Sequence, residues 1–328
     1  MADYSFCHFR IPITGKRVLW QITNVCNYSC AYCIFASGPQ KIRGELTTAQ
    51  VDRAIDSLSQ AEVRYIKYTG GEPFVRRDML HILERTVEYG ITCDVSTNAS
   101  LIDRPIAQSL GQLNLEFVHV SLDGANLSSH EAVRGDDTFD RTLRGISALA
   151  QAGVAMRIGT VIHRDNQDSL SDVVESALEL GVDQVVFSLM EPMGRMRGDS
   201  SQLVTRPLHE LRRELVELKT LYAQKIDVKF NLPLPNEQLS LNRTSCDRCP
   251  GGTKFLYIDN QGHVSPCTWI VDSRPDYRSE ISLRDVSLTE LLREESLHNY
   301  QSLLRRAACA GSYGCPKSWS TKSWSAAS

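Results

Sequence analysis

Between residues 17 and 224 the chain alternates short apolar runs with longer stretches of helical period, and this alternation leaves few folds open. The short runs lie at 17–23, 65–68, 91–95, 116–120, 154–158 and 184–188. They are rich in β-branched and aromatic residues, as strands are. The first helical stretch starts at Thr47/Thr48 and repeats Val51, Ala54, Ile55 and Leu58 at helical spacing. Helices predicted over 78–89, 138–152 and 168–180 stop at Gly90, Gly153 and Gly181, where glycine ends a helix readily. Two more are predicted around 103–111 and 208–224. Six strands separated by helices imply an α/β fold with a parallel sheet. Ligands in such folds sit at the carboxyl ends of the strands, so the turns after the strands are where chemistry is expected.

The first of those turns is the sequence Cys26-Asn27-Tyr28-Ser29-Cys30-Ala31-Tyr32-Cys33. Three thiols spaced by three residues and then two let one loop fold around a compact metal centre. A structural zinc site needs a fourth ligand, and none follows nearby. Four-iron clusters are also held by Cys thiolates, and with three of them one iron is left open for a small molecule. A zinc knuckle or three buried thiols is the bland alternative. The second turn is Gly70-Gly71-Glu72-Pro73, where paired glycines allow backbone to approach a ligand closely.

The C-x3-C-x2-C pattern with Tyr32 before its last Cys, followed by Gly70–Pro73 after the second strand, resembles the signature of the radical S-adenosylmethionine (SAM) enzymes. The resemblance implies a partial (β/α)6 TIM-like barrel and a [4Fe-4S] cluster on Cys26, Cys30 and Cys33. It also implies SAM as co-substrate, cleaved to a 5'-deoxyadenosyl radical that abstracts hydrogen from substrate. Gly70, Gly71, Glu72 and Pro73 match the segment that receives the SAM amino group. Ser96 and Asn98 after the third strand, and Ser121 and Arg134 after the fourth, match the segments near the ribose and carboxylate. Arg134 is a plausible carboxylate partner. Glu191 after the sixth strand is placed near adenine or substrate. Arg157 alternates with Met156 and Ile158, so it points into the barrel, where a charge must be paired.

A second anchor runs from Cys249 to Cys267, with a strand predicted at 255–258, a turn at 260–262 and a returning strand at 263–264. Cys309 and Cys315 follow. This part resembles the twitch domain, the shortened SPASM form, and implies a small C-terminal iron–sulfur domain with one auxiliary [4Fe-4S] cluster. Cys246, Cys249, Cys267, Cys309 and Cys315 are five thiols, whereas a fully ligated cluster takes four. One of Cys246 and Cys249 is therefore spare. The usual Cys-x-x-Gly start favours Cys249 as ligand; Pro250-Gly251-Gly252 strips bulk from beside Cys249 and favours it as a free thiol facing substrate. The balance leans to Cys249 as hydrogen donor, with Cys246, Cys267, Cys309 and Cys315 as ligands and Cys246 as the alternative donor. An inert spare thiol is the remaining reading.

The expected domains are a lead-in (1–16), the radical SAM partial barrel (17–230), the twitch-like domain (231–317) and a disordered tail (318–328). A spare thiol suits an epimerase, since a carbon radical that takes hydrogen on its opposite face is inverted. Within the superfamily the resemblance runs to enzymes that epimerise aminoglycosides, with a dehydrogenase of an aminocyclitol or sugar alcohol as the alternative. A polycationic substrate calls for carboxylates, and Asp94, Asp123, Glu131 and Glu191 lie on or just after strands. A peptide-modifying enzyme is disfavoured, since only about twenty residues precede the first strand, too few for a leader-binding module. The net charge of -3 and the lack of a basic run give no reason to expect nucleic acid. No apolar run is long enough for a membrane span, and residues 1–10 lack the order of a signal peptide. A cytoplasmic protein is expected, in which ten cysteines are not disulfides; eight of them fall in two groups, 26–33 and 246–315, which points to two metal sites. The expected partners are a small aminoglycoside and an external electron donor such as flavodoxin or ferredoxin.

Overall fold

Strands form where the apolar runs predict them. They are β1 (Lys16–Thr23), β2 (Val63–Gly70), β3 (Thr92–Thr97), β4 (Val118–Ser121), β5 (Met156–Ile162) and β6 (Gln184–Leu189). The computed structural model describes residues 15–41, 43–232, 250–295, 297–300 and 302. It adds a strand, β7 (Asp227–Asn231), that the sequence did not announce. Only Val228 of its five residues is buried, so its apolar signal is weak.

The chain divides into two compact units: Met1–Trp20, Gly44–Ile66 and Pro233–Ser328 in one, Gln21–Arg43 and Lys67–Leu232 in the other. In the second unit β3, β4, β5, β6 and β7 lie side by side in chain order, each parallel to the next. A doubly wound sheet reverses its order at a switch point; here the order never reverses. Such a singly wound sheet, with right-handed crossovers, puts its helices on one face. These are α2 (Met79–Glu88), α3 (Arg104–Gln112), α4 (Leu127–Arg134), α5 (Phe139–Gln151), α6 (Leu170–Glu179) and α7 (Leu208–Leu221). Their apolar stripes are buried, for example Met79, Ile82 and Leu83 of α2 and Leu170, Val173 and Val174 of α6. The α/β class and the parallel sheet are as expected. Helix α4 lies where the sequence predicted no helix; Asn126 starts it by accepting from Ser129 N at 3.0 Å.

Side chains alternate across a strand, so the other face of the sheet carries Asp94 and Ser96, His119 and Ser121, Arg157, Gly159 and Val161, and Gln184, Val186 and Ser188. Burial changes with height on this face. Asp94, His119, Arg157 and Gln184 are buried, whereas Ser96, Ser121, Gly159, Val161, Val186 and Ser188 are half-buried. The face is thus closed at the amino ends of the strands and opens toward their carboxyl ends. The closed layer is polar. Lys67 Nζ lies 2.9 Å from His119 Nδ1, and His119 Nε2 lies 2.9 Å from Asp94 Oδ2 and 2.8 Å from Arg157 Nη1. Arg157 also sits over the Phe117 ring. The predicted inward charge is therefore paired. Burial pulls Lys67 down to about 7 and, with the Lys67 charge, His119 down to about 3, so the imidazole is neutral.

In the first unit the start of β1 pairs in parallel with β8 (Phe255–Ile258), which turns back antiparallel into β9 (Val264–Ser265). The predicted hairpin forms there. Asp259 shapes its turn by accepting from Gln261 N at 2.9 Å and His263 N at 3.0 Å, and Gly262 takes φ +87°. Helix α1 (Thr48–Gln60) buries the predicted Val51, Ala54, Ile55 and Leu58. The short helices α8 (Thr268–Ser273) and α9 (Leu288–Leu291) follow, and α9 packs on α1. Cys267 is buried at the start of α8. Cys246, Cys249, Cys309 and Cys315 lie outside the described residues, as do the tail and nearly all of the lead-in. Among the described residues no helix is long and apolar enough to cross a membrane.

Candidate functional site

The loop after β1 carries Cys26, Cys30 and Cys33, and segments following four other strands, β2, β3, β4 and β6, hold it. Cys26 N donates to Gly38 O at 2.8 Å, closing the loop on itself. Gly71 N donates to Thr23 O at 2.8 Å and Glu72 N to Val25 O at 2.9 Å, which ties the turn after β2 to the base of the loop. Ala31 N donates to Val133 O of α4 at 2.8 Å. Two thiols already receive backbone donors: Tyr28 N lies 3.4 Å from Cys26 Sγ and Ser37 N 3.3 Å from Cys33 Sγ.

The glycine pair proves tighter than a ligand-approach argument requires. A Cβ on Gly71 would lie 2.1 Å from Val25 O and 3.0 Å from Cys26 N; one on Gly70, at φ +139°, would lie 2.2 Å from Thr23 O. The close approach that excludes a side chain is to the cysteine loop itself. A bulkier residue at 71 would therefore force the loop holding Cys26 to move.

Glu72 is fully buried, and its carboxylate accepts from Phe74 N (3.1 Å), Thr97 Oγ1 (2.8 Å) and Asn98 N (2.7 Å). It staples the turn after β2 to the end of β3. Burial pushes its carboxyl up to about 7 against the pull of those donors. Pro73, also buried, opens the short 3-10 turn Pro73–Val75 that follows. Asn98 reaches back to the loop: its Nδ2 lies 2.9 Å from Asn27 Oδ1 and 4.0 Å from Cys26 Sγ. Ser96 and Ser121 stand half-buried on the open part of the sheet face, and Glu191 is half-buried just beyond β6.

Arg134 has its carboxylate partner inside the protein. Its Nε lies 2.6 Å from Asp123 Oδ2, and its Nη2 donates to the Tyr32 hydroxyl, which in turn donates to Asp123. Asp123 Oδ1 accepts from Val161 N at 2.8 Å. Burial alone would raise the Asp123 carboxyl, but Arg134, His130 and Tyr32 outweigh it and hold the group below its ordinary value. The loop thiols, the end of β4 and helix α4 are thereby tied through one buried ion pair. Of the carboxylates considered for a polycation, Asp123 is spent on this pair and Asp94 on the closed polar layer. Glu131 accepts from Thr138 N (2.9 Å) and Phe139 N (3.1 Å) at the start of α5.

Sequence reading missed one contributor altogether. In the turn Gly194–Met196 after β6, Arg195 N donates to Cys33 O at 3.0 Å. Its guanidinium donates to the carbonyls of Cys30 and Ser37. Gly194, at φ +56°, allows this contact, since a Cβ there would lie 2.4 Å from both Cys33 O and Ile34 O. The only local sign was a glycine close behind Met190-Glu191-Pro192.

This arrangement fits a four-iron cluster with SAM beside it. The three thiols interact electrostatically, and burial pushes Cys26 up to about 12, with Glu72 and the neighbouring thiols adding to the rise. Cys30 is raised by burial too, against the pull of Arg134. Such thiols ionise only against a strong positive charge, which a metal centre supplies. N–H donors aimed at sulfur are a common way of tuning iron–sulfur clusters. Among the described residues no three His, Cys, Asp or Glu side chains converge as a single-ion site. A cube of four irons takes its thiolates at separate corners and does not need that convergence.

A model of the radical SAM superfamily matches residues 20–177. The AdoMet-dependent heme synthase of Nitratidesulfovibrio vulgaris is 27% identical over 273 residues, covering 78% of this chain and 74% of its own length. The mycofactocin maturase MftC of Mycobacterium ulcerans is 34% identical over 262 residues, covering 78% of this chain and 69% of its own. Among solved structures, SuiB of Streptococcus suis bound to S-adenosylmethionine has a TM-score of 0.73 at 16% identity, covering 88% of this chain and 67% of that one. At that identity the likeness concerns the fold.

Proposed function

This chain belongs to the radical SAM superfamily, and from that premise we propose that it is an epimerase inverting one carbon stereocentre of an aminoglycoside, of the kind that turns neomycin C into neomycin B at C5'''. A cluster held by Cys26, Cys30 and Cys33, with SAM bound beside it, supplies a 5'-deoxyadenosyl radical that takes one hydrogen atom from the substrate. In this reading Cys249 returns a hydrogen atom to the opposite face of that carbon, breaking S–H and forming C–H. The thiyl radical left on Cys249 regains a thiol by taking one electron from the external reductant and one proton from solvent. Cys246 is the alternative donor. The other four C-terminal cysteines hold a second, auxiliary four-iron cluster.

The observation that carries the proposal is the odd thiol, five C-terminal cysteines against the four a closed cluster takes. A dehydrogenase of an aminocyclitol or sugar alcohol passes its radical's electron to the auxiliary cluster and has no use for the fifth. Relatives of comparable identity carry names as different as heme synthase and mycofactocin maturase, so no single substrate passes to this chain from them. The aminoglycoside rests on the resemblance of the cysteine and glycine motifs to the aminoglycoside epimerases. Ser96, Asn98, Ser121, Arg134 and Glu191 are the residues proposed to line the SAM site, Arg134 through the Asp123–Tyr32 cluster. The test is incubation of the reduced, reconstituted enzyme with neomycin C and a panel of aminoglycosides. One 5'-deoxyadenosine per epimerised product is expected; a ketone product instead means the dehydrogenase.

A further inference from the structure

The turn after β3 carries a ring of three side chains that joins it to the cysteine loop. Asn98 Oδ1 accepts from Ser100 Oγ at 2.7 Å and from Ser100 N at 2.9 Å. Ser100 Oγ accepts from Asn27 Nδ2 at 2.8 Å, and Asn27 Oδ1 accepts from Asn98 Nδ2 at 2.9 Å. Each side chain thus donates once and accepts once around the ring. The two donors on Asn98 Oδ1 fix which end of its carboxamide is nitrogen. That nitrogen carries two hydrogens, and the ring uses one; the other has Cys26 Sγ at 4.0 Å. Cys26 Sγ also receives Tyr28 N at 3.4 Å, so it has two N–H donors where Cys33 Sγ has one, Ser37 N at 3.3 Å. The backbone is strained to hold the ring. Ala99, between Asn98 and Ser100, takes φ +59°, a left-handed conformation that crowds a residue with a Cβ. Helix α5 presses on this turn: a Cβ on Gly145 would lie 2.0 Å from Ala99 O. Asn98 itself is buried, its N donates to Glu72 Oε2 at 2.7 Å and its O accepts from Thr142 Oγ1 at 3.0 Å. Strain over-determined in this way gathers at functional sites.

We propose that Asn98 is a positioning residue for the cluster held by Cys26, Cys30 and Cys33: its amide donates to the Cys26 sulfur and raises the potential at which that cluster takes an electron. The proposal rests on the radical SAM reading of the loop. Hydrogen bonds to sulfur are among the influences that set an iron–sulfur potential. An N–H dipole aimed at a thiolate stabilises negative charge there, and the reduced cluster carries one more unit of it than the oxidised one. The donor therefore favours the reduced form. Ser100 and Asn27 act one step further out, by keeping the amide turned toward sulfur. Both amide hydrogens are then engaged inside the protein, so Asn98 serves the SAM site through the loop that holds the cluster.

The test uses the full-length reconstituted enzyme and reads the cluster rather than turnover. The cluster of this loop is the one whose paramagnetic resonance signal changes when SAM is added. Its reduced-to-oxidised ratio is measured without SAM, at a fixed poise near the wild-type midpoint. Asn98→Leu keeps the volume and removes the donor; it should lower that ratio about tenfold, which converts to about 59 mV for one electron. Ser100→Ala leaves the amide in place but frees it to turn, and should lower the ratio by less. Thr142→Val removes a bond to the Asn98 backbone and should leave the ratio unchanged. An unchanged ratio in Asn98→Leu overturns the proposal. An equal fall in Thr142→Val also overturns it, since the effect would then be one of packing. SAM affinity is measured alongside: a loss in Asn98→Leu at an unchanged ratio would make Asn98 a direct SAM contact, against the proposal. If Asn98→Leu takes up no iron, Ser100→Ala decides, and an unchanged ratio there overturns the proposal. A wild-type enzyme whose cluster signal ignores SAM would overturn the radical reading itself, an outcome visible before any variant is made.

Discussion

Substituting Gly71 by alanine probes the tightest joint in the structure. The added Cβ would sit 2.1 Å from Val25 O and 2.5 Å from Val25 C, whereas ordinary contacts begin at 3.4 Å. Both obstacles are backbone, so no rotamer relieves the clash, and the base of the cysteine loop has to retreat by roughly 1 Å or more. That movement stretches Gly71 N–Thr23 O (2.8 Å) and Glu72 N–Val25 O (2.9 Å). Overpacking of this kind costs about 1–3 kcal/mol, and each weakened hydrogen bond adds about 1 kcal/mol. A local penalty near 3 kcal/mol shifts the loop's opening equilibrium by about two decades, since every 1.4 kcal/mol is tenfold. The assay is iron per chain after anaerobic reconstitution and gel filtration, with the melting temperature measured alongside. Gly111→Ala is the control: its Cβ would meet Ala152 O at 2.8 Å between α3 and α5, away from the loop. Gly71→Ala should lose the iron of the first cluster, and Gly111→Ala should lose stability only. Full iron and unchanged SAM affinity in Gly71→Ala would refute the account of this joint.

Asp123→Asn leaves the buried Arg134 without its counter-charge and should destabilise the protein by about 3–5 kcal/mol, read as a fall in melting temperature. Asp123 has a folded-state value held below its ordinary one, so its contribution is present above the unfolded carboxylate range and is lost as pH falls through the lower folded value. The Asn variant should therefore show a flatter decline in melting temperature below about pH 4 than the wild type; equal slopes would assign the acid sensitivity to other groups. Arg195→Met removes the guanidinium from the Cys30 and Ser37 carbonyls and should speed iron loss to a chelator several-fold with little change in global melting. Arg195→Lys should recover only part of that, because a point ammonium lacks the planar fork that spans two acceptors; full recovery by lysine would mean that charge alone matters.

What the sequence disclosed and what it hid divide along the range of the interactions. Strands β1 to β6 and helices such as α1 were legible because Val51, Ala54, Ile55 and Leu58, or the run at 184–188, declare their faces through local periodicity, and Gly90, Gly153 and Gly181 mark the stops. Strand β7 was not, since four of its five residues are exposed or half-buried. The thiol loop was legible from spacing alone. Its supports were not: Arg195 lies 165 residues from Cys30, and nothing near Arg134 in the sequence says that its fork is taken by Asp123 and Tyr32. Glu72 is instructive in the same way. Its motif marked the right turn, but its role as a buried staple to Thr97 and Asn98 is visible only once β2 and β3 have ended side by side.

The central claim is that a cysteine thiol returns hydrogen to the substrate, and the fate of solvent hydrogen tests it most directly. A thiol S–H exchanges with water, whereas the methyl hydrogens of 5'-deoxyadenosine do not. With neomycin C turned over in heavy water, the product should carry one deuterium at the inverted carbon, and the hydrogen removed should be found in 5'-deoxyadenosine. Cys249→Ala should still form 5'-deoxyadenosine and yield no epimer; if Cys246→Ala behaves so instead, the two roles exchange. An epimer without solvent deuterium would contradict the thiol-donor account.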